Sequence, residues 1–242
     1  MKKGFTLAEV LITIGIIGIV AAMTIPMLIS GYKKSVVVSS LQKNLSLFSQ
    51  AVQLAEAKYG FTDEWPYCNA VSSQECTEDF FNNYLLPELK VIKVCTPEES
   101  EICWTSPKGL SGQSGYLTGK ESKHVRALLS NGSSIIMWPG VESERKHWQI
   151  WIDIDGPMKG PALIGGDVFG LYLYYKTSIV DGILYRKGVG LVGADFSDED
   201  VLRNDSLYGC SKTVNTVYAG RYCGALIQHS GWKVPKDYPV KF

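Results

Sequence analysis

The sequence predicts an α+β chain. One long N-terminal helix, its first half of membrane-spanning character, packs on a small antiparallel β-sheet with disulfide-tied loops. Three observations predict it. Residues 10–28 form an uncharged run rich in Ile, Val, Leu and Ala. Val38, Leu41, Leu45, Phe48, Val52 and Ala55 then recur at helical spacing. Later segments alternate in the manner of strands, and six cysteines are spread among them.

The apolar run comes first. About 20 residues at roughly 1.5 Å each span the ~30 Å hydrocarbon core of a bilayer. Lys2 and Lys3 precede the run and favour a cytoplasmic N-terminus by the positive-inside bias. Glu9 stands at its edge. An unpaired carboxylate near a bilayer centre costs roughly 2.5–3.5 kcal/mol, so Glu9 needs a partner. A secretory signal with a cut near Val20-Ala21-Ala22 has too short an apolar region for this run. A plain uncleaved anchor explains the length but neither Gly4-Phe5 nor Glu9.

Past Lys33 and Lys34 the pattern becomes amphipathic. Ser39, Gln42, Lys43, Ser46, Ser49, Gln53 and Glu56 fill the face opposite the stripe, and Gly60 is a stop signal. One helix over residues 5–59 follows. A coiled coil is the rival, but the stripe is short and does not keep a heptad.

The opening Gly4-Phe5-Thr6-Leu7-Ala8-Glu9-Val10-Leu11 resembles the class III signal of type IV pilins and type II secretion pseudopilins. Gly18 and Pro26 fall where that family often has a glycine and a proline within the helix. The resemblance implies a pilin-like fold and cleavage after Gly4 by a prepilin peptidase. It implies N-methylation of Phe5 and polymerisation with other pilin or pseudopilin subunits. It further implies an assembly platform, a cytoplasmic ATPase and a bacterial inner-membrane location, single-pass in lipid, with the C-terminal domain extracytoplasmic. Residues 1–4 are then a leader, 5–29 a transmembrane helix, 30–60 its amphipathic continuation and 61–242 an extracytoplasmic β domain. After cleavage the Phe5 amine of one subunit would pair with Glu9 of the next, compensating both charges in an apolar bundle. Pro26 loosens a helix because it lacks a donor, and Gly18 weakens it by roughly 1 kcal/mol relative to alanine.

For the outer domain, sequence proximity suggests the pairs Cys68–Cys76, Cys95–Cys103 and Cys210–Cys223, against buried free thiols as the alternative. Residues 61–123 read as irregular, with a short helix over residues 79–86 before Pro87. Residues 126–129 and 134–138 flank Asn131-Gly132, a hairpin signal. Residues 147–154 and 168–175 read as further strands, and residues 176–242 as loops. Asn131-Gly132-Ser133 matches a glycosylation sequon but reads here as a turn.

Residues 153–169 resemble an acidic segment of major-pseudopilin-like domains. Asp153, Asp155 and Asp167 are either calcium ligands or structural acceptors for backbone amides. An EF-hand is excluded, because Ile164 stands where the bidentate glutamate belongs. No other cofactor is indicated.

Enzyme motifs are lacking. There is no C-x-x-C or P-loop, and Gly109-Leu110-Ser111-Gly112 lacks the last glycine of a nucleophile elbow. His124, His147 and His229 are scattered, and the tryptophans read as packing more than as a ligand cage. The formal net charge is zero with no basic block, which argues against general nucleic-acid binding. The chain therefore reads as a structural subunit of a pseudopilus or pilus. The rivals are a minor pilin or exported ligand-binding module, active in adhesion or DNA uptake, and a membrane-anchored enzyme.

Overall fold

The computed structural model describes residues 4, 6–68, 74–115, 117–118, 120–121, 124–140, 145–160 and 162–242. Lys2, Lys3 and Phe5 lie outside the described residues.

Helix α1, Leu7–Tyr59, runs 53 residues without a break, a length of about 80 Å at roughly 1.5 Å per residue. Gly60 ends it with φ of 83°, and its N–H donates to Glu56 O at 3.1 Å. The helix continues through Gly18 and Pro26. Its large apolar side chains from Leu7 to Ile29 are exposed, and α1 is long and apolar enough to cross a membrane. Farther along, Leu41, Phe48, Val52 and Ala55 are buried, and Val38 and Leu45 are half-buried, as the stripe predicts. Ala51 joins them. So does Asn44, a polar residue outside the predicted stripe.

Helix α2, Gln74–Phe80, passes into a wider π turn over Phe81–Leu85. It therefore begins earlier than the helix predicted for residues 79–86. Residues 74–79 carry no apolar repeat, and the start of α2 is fastened instead by the Cys68–Cys76 disulfide. Strand β1, Val91–Cys95, and the single-turn α3, Ser100–Cys103, follow. Both lie in the stretch read as irregular.

The sheet continues with β2 (Val125–Leu129), β3 (Ser134–Pro139), β4 (His147–Asp153) and β5 (Val168–Tyr174). A separate hairpin, β6 (Ser178–Val180) with β7 (Ile183–Tyr185), precedes β8 (Gly188–Leu191). The main sheet has the order β1-β2-β3-β4-β5-β8, antiparallel throughout. Helices α4 (Glu199–Asn204) and α5 (Cys223–His229) complete the chain. Residues 176–242 thus hold three strands and two helices, where the sequence reading expected loops. These elements are too short to complete a detectable period.

Alternation decides the layers. Ile135, Ile150, Leu171 and Leu173 face a core shared with Leu41 and Phe48 of α1 and Leu226 of α5. Ile136, Trp151 and Val168 face the opposite way, into a smaller core with Trp104 and Trp138. Each fully buried side chain of this size stabilises the fold by roughly 1.5–3 kcal/mol. Phe80 stacks on Trp148 with ring centres 4.1 Å apart. Trp148 Nε1 donates to the Tyr175 hydroxyl at 2.7 Å, and that hydroxyl donates to Pro66 O at 2.8 Å. The end of α1 is held by Lys187, which reaches Glu56 at 2.9 Å and Asp63 at 3.3 Å, and by the Lys58–Glu88 pair.

Candidate functional site

The N-terminal turn of α1 is the first site. Thr6 caps the helix in extended conformation. Its N–H and its Oγ1 both donate to Glu9 Oε2 at 2.8 Å, and Glu9 N–H donates back to Thr6 Oγ1 at 3.2 Å. This reciprocal cap satisfies helix-end donors that otherwise have no acceptor. The carboxylate flagged as lacking a partner therefore has one within its own chain. The cap uses no atom before Thr6, so removal of residues 1–4 leaves it intact. Gly4 is exposed with open space around it. Phe5, the residue expected to be methylated and to pair with Glu9, lies outside the described residues. Gly18 and Pro26 are both exposed on the bare half of α1.

The acidic loop is the second. Asp153 Oδ1 accepts from the N–H of Asp155 at 3.3 Å and of Gly156 at 2.9 Å, and Asp167 Oδ1 accepts from Leu163 N–H at 2.6 Å. These are the amide contacts that a structural role requires. Burial raises the Asp153 carboxyl to about 7 and that of Asp167 to about 6. Among the described residues no group of three or more His, Cys, Asp or Glu side chains is placed to hold a metal ion. Gly156 has φ of 88°, and a Cβ there would meet Gly132 O at 2.2 Å. Only glycine lets the loop close on the β2–β3 turn. In that turn Asn131 Oδ1 accepts from Ser133 N–H at 3.0 Å, so the sequon residues do form a turn.

All three cysteine pairs form as proximity suggested: Cys68–Cys76, Cys95–Cys103 and Cys210–Cys223, with Cα separations of 5.9, 6.1 and 4.8 Å. The histidines stay apart. His124 pairs with Glu121 at 3.1 Å, His147 meets Arg145 O at 2.8 Å, and His229 lies 3.6 Å from Glu199.

A third feature escaped the sequence reading. A cavity of about 140 Å³ is lined by Tyr172 and Tyr174 of β5, Tyr185 of β7, Asp195, Arg145 and Arg221, with other side chains. Tyr172 and Tyr174 alternate with the core-facing Leu171 and Leu173, so it opens on the sheet face away from α1. Arg221 is buried and donates to Tyr172 Oη at 2.9 Å and Gln149 Oε1 at 3.2 Å. The Arg145 guanidinium lies 4.0 Å from the Tyr185 ring centre. Burial raises the Asp195 carboxyl above its ordinary range. These residues lie far apart in sequence, and no local signal marks them.

Residues 1–25 match the model of the prokaryotic N-terminal methylation motif. With a long N-terminal helix on an antiparallel sheet and disulfides in its loops, the chain is a type IV pilin-like or pseudopilin protein. Residues 27–107 and 113–242 match a family of unknown function, DUF6613, and the chain belongs to that family. No curated protein and no solved structure matches it.

Proposed function

We propose that this protein is a structural subunit of a type II secretion pseudopilus or a type IV pilus. The observation that carries the reading is the methylation motif at the head of a helix that is bare over its first half and packed over its second. The chain enters the bacterial inner membrane with Lys2 and Lys3 on the cytoplasmic side. A prepilin peptidase cuts after Gly4, and Phe5 is methylated. Residues 5–29 span the bilayer, residues 30–60 carry the helix onward, and residues 61–242 stand outside the cytoplasm. Like subunits polymerise through α1 on a membrane platform driven by a cytoplasmic ATPase. In the filament Glu9 exchanges Thr6 for the Phe5 amine of a neighbour, and Gly18 and Pro26 let the helix loosen on leaving lipid. The role is architectural rather than catalytic.

Recovery of the protein from its host and mass analysis of its N-terminus test the processing. A methylated phenylalanine is expected; an intact leader, or trimming near Ala22, overturns it. Glu9→Ala tests the pairing: insertion persists while filaments vanish, and normal filaments would refute it.

The tyrosine-lined cavity favours a second reading, a minor subunit or exported binding module that displays a recognition site. Its aromatic and charged lining faces away from the assembling helix. Abundance in purified filaments separates the two, a minor subunit being strongly sub-stoichiometric.

A further inference from the structure

A groove lies where α1 leaves its bare half. Lys34, Ser35, Val38 and Ser39 form one wall, and Trp232, Lys233 and Val234, just past α5, form the other, around a volume of about 280 Å³. Three observations converge on it. The first is depth. If the ~30 Å hydrocarbon core holds about 20 residues beginning at Val10, it ends near Ile29. Lys34 then stands about 7 Å beyond it, within the roughly 5–8 Å occupied by headgroups.

The second is charge. Lys34 and Lys233 approach the same groove from distant parts of the chain, and neither forms an ion pair among the described residues. Lys33, exposed, precedes Lys34 on α1. The third is the backbone. Gly231 and Trp232 are both left-handed, with φ of 70° and 59°. A bulky side chain rarely adopts that conformation. Trp232 N–H donates to Ile227 O at 3.0 Å, so the turn is fastened to α5. It leaves the indole half-buried against the outer end of the core, beside α1. Tryptophan is the residue of the membrane interface, apolar over its body with one N–H for the wet side.

We propose that this groove binds the phosphate of an anionic phospholipid headgroup in the membrane that α1 crosses. Lys34 and Lys233 supply the charge, and Trp232 lies at headgroup depth beside them. The domain therefore stands on the bilayer in a fixed orientation. The inference rests on the membrane-anchored part of the reading above and not on cleavage or polymerisation.

The test uses the full-length chain in nanodiscs of phosphatidylcholine alone or of equal parts phosphatidylcholine and phosphatidylglycerol. Two readouts are taken: acetylation of Lys233 by a water-soluble reagent, followed by mass spectrometry, and quenching of Trp232 by lipids carrying a nitroxide on the headgroup, taken as the difference from Trp232→Phe. Acetylation is expected to slow by about five-fold with the anionic lipid, in line with the attraction of one lysine to a charged surface. Trp232 quenching should rise with the anionic lipid, and Lys34→Gln should abolish most of both changes. Equal acetylation in both nanodiscs overturns the proposal. So does slowing in phosphatidylcholine on adding inorganic phosphate alone, which would assign the site to a free anion. Failure to insert into either nanodisc would defeat the anchored reading as well. Insertion without charge sensitivity defeats only the headgroup site.

Discussion

The two halves of α1 obey opposite rules. From Leu7 to Ile29 nearly every large apolar side chain is exposed, with Ile16 at 59 % and Leu28 at 70 %. From Leu41 to Ala55 one apolar stripe packs on the domain, with Leu41, Phe48 and Ala55 at 0 %. The first half is apolar on all sides and packs, among the described residues, on no other part of the chain. The second is apolar on one stripe and has a sheet. A helix apolar all round needs an apolar surrounding, whereas an amphipathic one needs a single surface. One continuous helix thus joins two solvents, and folding energy comes from only one of its halves.

The sharpest way to break that contrast is a pair of truncations. Phe48→Ala should lower the stability of the outer domain by about 3–5 kcal/mol, the usual cost of emptying a buried aromatic site. Ile16→Ala should leave melting within about 0.5 kcal/mol of the parent. Equal losses in calorimetry would show that the halves fold as one.

Next in size is the Cys210–Cys223 link, which ties the C-terminal region to the core below the sheet. Replacing both cysteines by serine should cost about 3 kcal/mol, read as a lower denaturation midpoint. A midpoint unchanged by the double variant, or by reductant on the parent, would remove the disulfide from the account.

Asn44 sharpens the comparison from within the packed half. It is buried, its Oδ1 accepts from Asn131 Nδ2 at 3.1 Å and Ser133 Oγ at 3.0 Å, and its own Nδ2 donates to Ser40 O at 2.9 Å. Asn44→Leu should cost about 1 kcal/mol, because Asn131 Nδ2 and Ser133 Oγ lose one acceptor while Ser133 Oγ keeps Asn131 Oδ1 at 2.6 Å. A neutral result would make the contact incidental.

A different kind of effect is on pH. An unfolded Asp153 ionises in the ordinary carboxylate range, whereas burial raises the folded group to about 7. Between those values the folded chain keeps a proton that the unfolded chain has lost. Stability present in full below about pH 4 therefore declines as pH rises to about 7 and then levels, by at most about 1.4 kcal/mol per pH unit. Asp153→Asn keeps the acceptor for Gly156 and should flatten that decline. The loop should also melt at the same temperature in chelator and in millimolar calcium at pH 8. A rise with calcium would assign Asp153, Asp155 and Asp167 to a metal instead.

What could be read in advance follows from length and locality. The stripe of α1 repeats over several turns, β2 to β5 are long enough to alternate, and Asn131-Gly132 announces its own turn. The three disulfides join near neighbours in sequence, so proximity was sufficient. Strand β1 was missed because it is a short edge strand with a charged residue, Lys93, in its middle. Asn44 occupies a core position that its polarity disguises, and its partners lie on a distant hairpin. The tyrosine-lined cavity combines β5, β7 and three loops, so only the tertiary fold brings its residues together. At the N-terminus the acid was legible, but its nearest partner was not: Thr6 was read as part of the processing signal rather than as a cap.

That cap bears on how subunits wait before use. A molecule whose only acid in the apolar span is already quieted by its own first turn has no electrostatic reason to cluster with its fellows. On the filament reading proposed above, it would diffuse as a solitary reserve in the bilayer, and growth would depend on a neighbour offering more than the Thr6 amide and hydroxyl it holds.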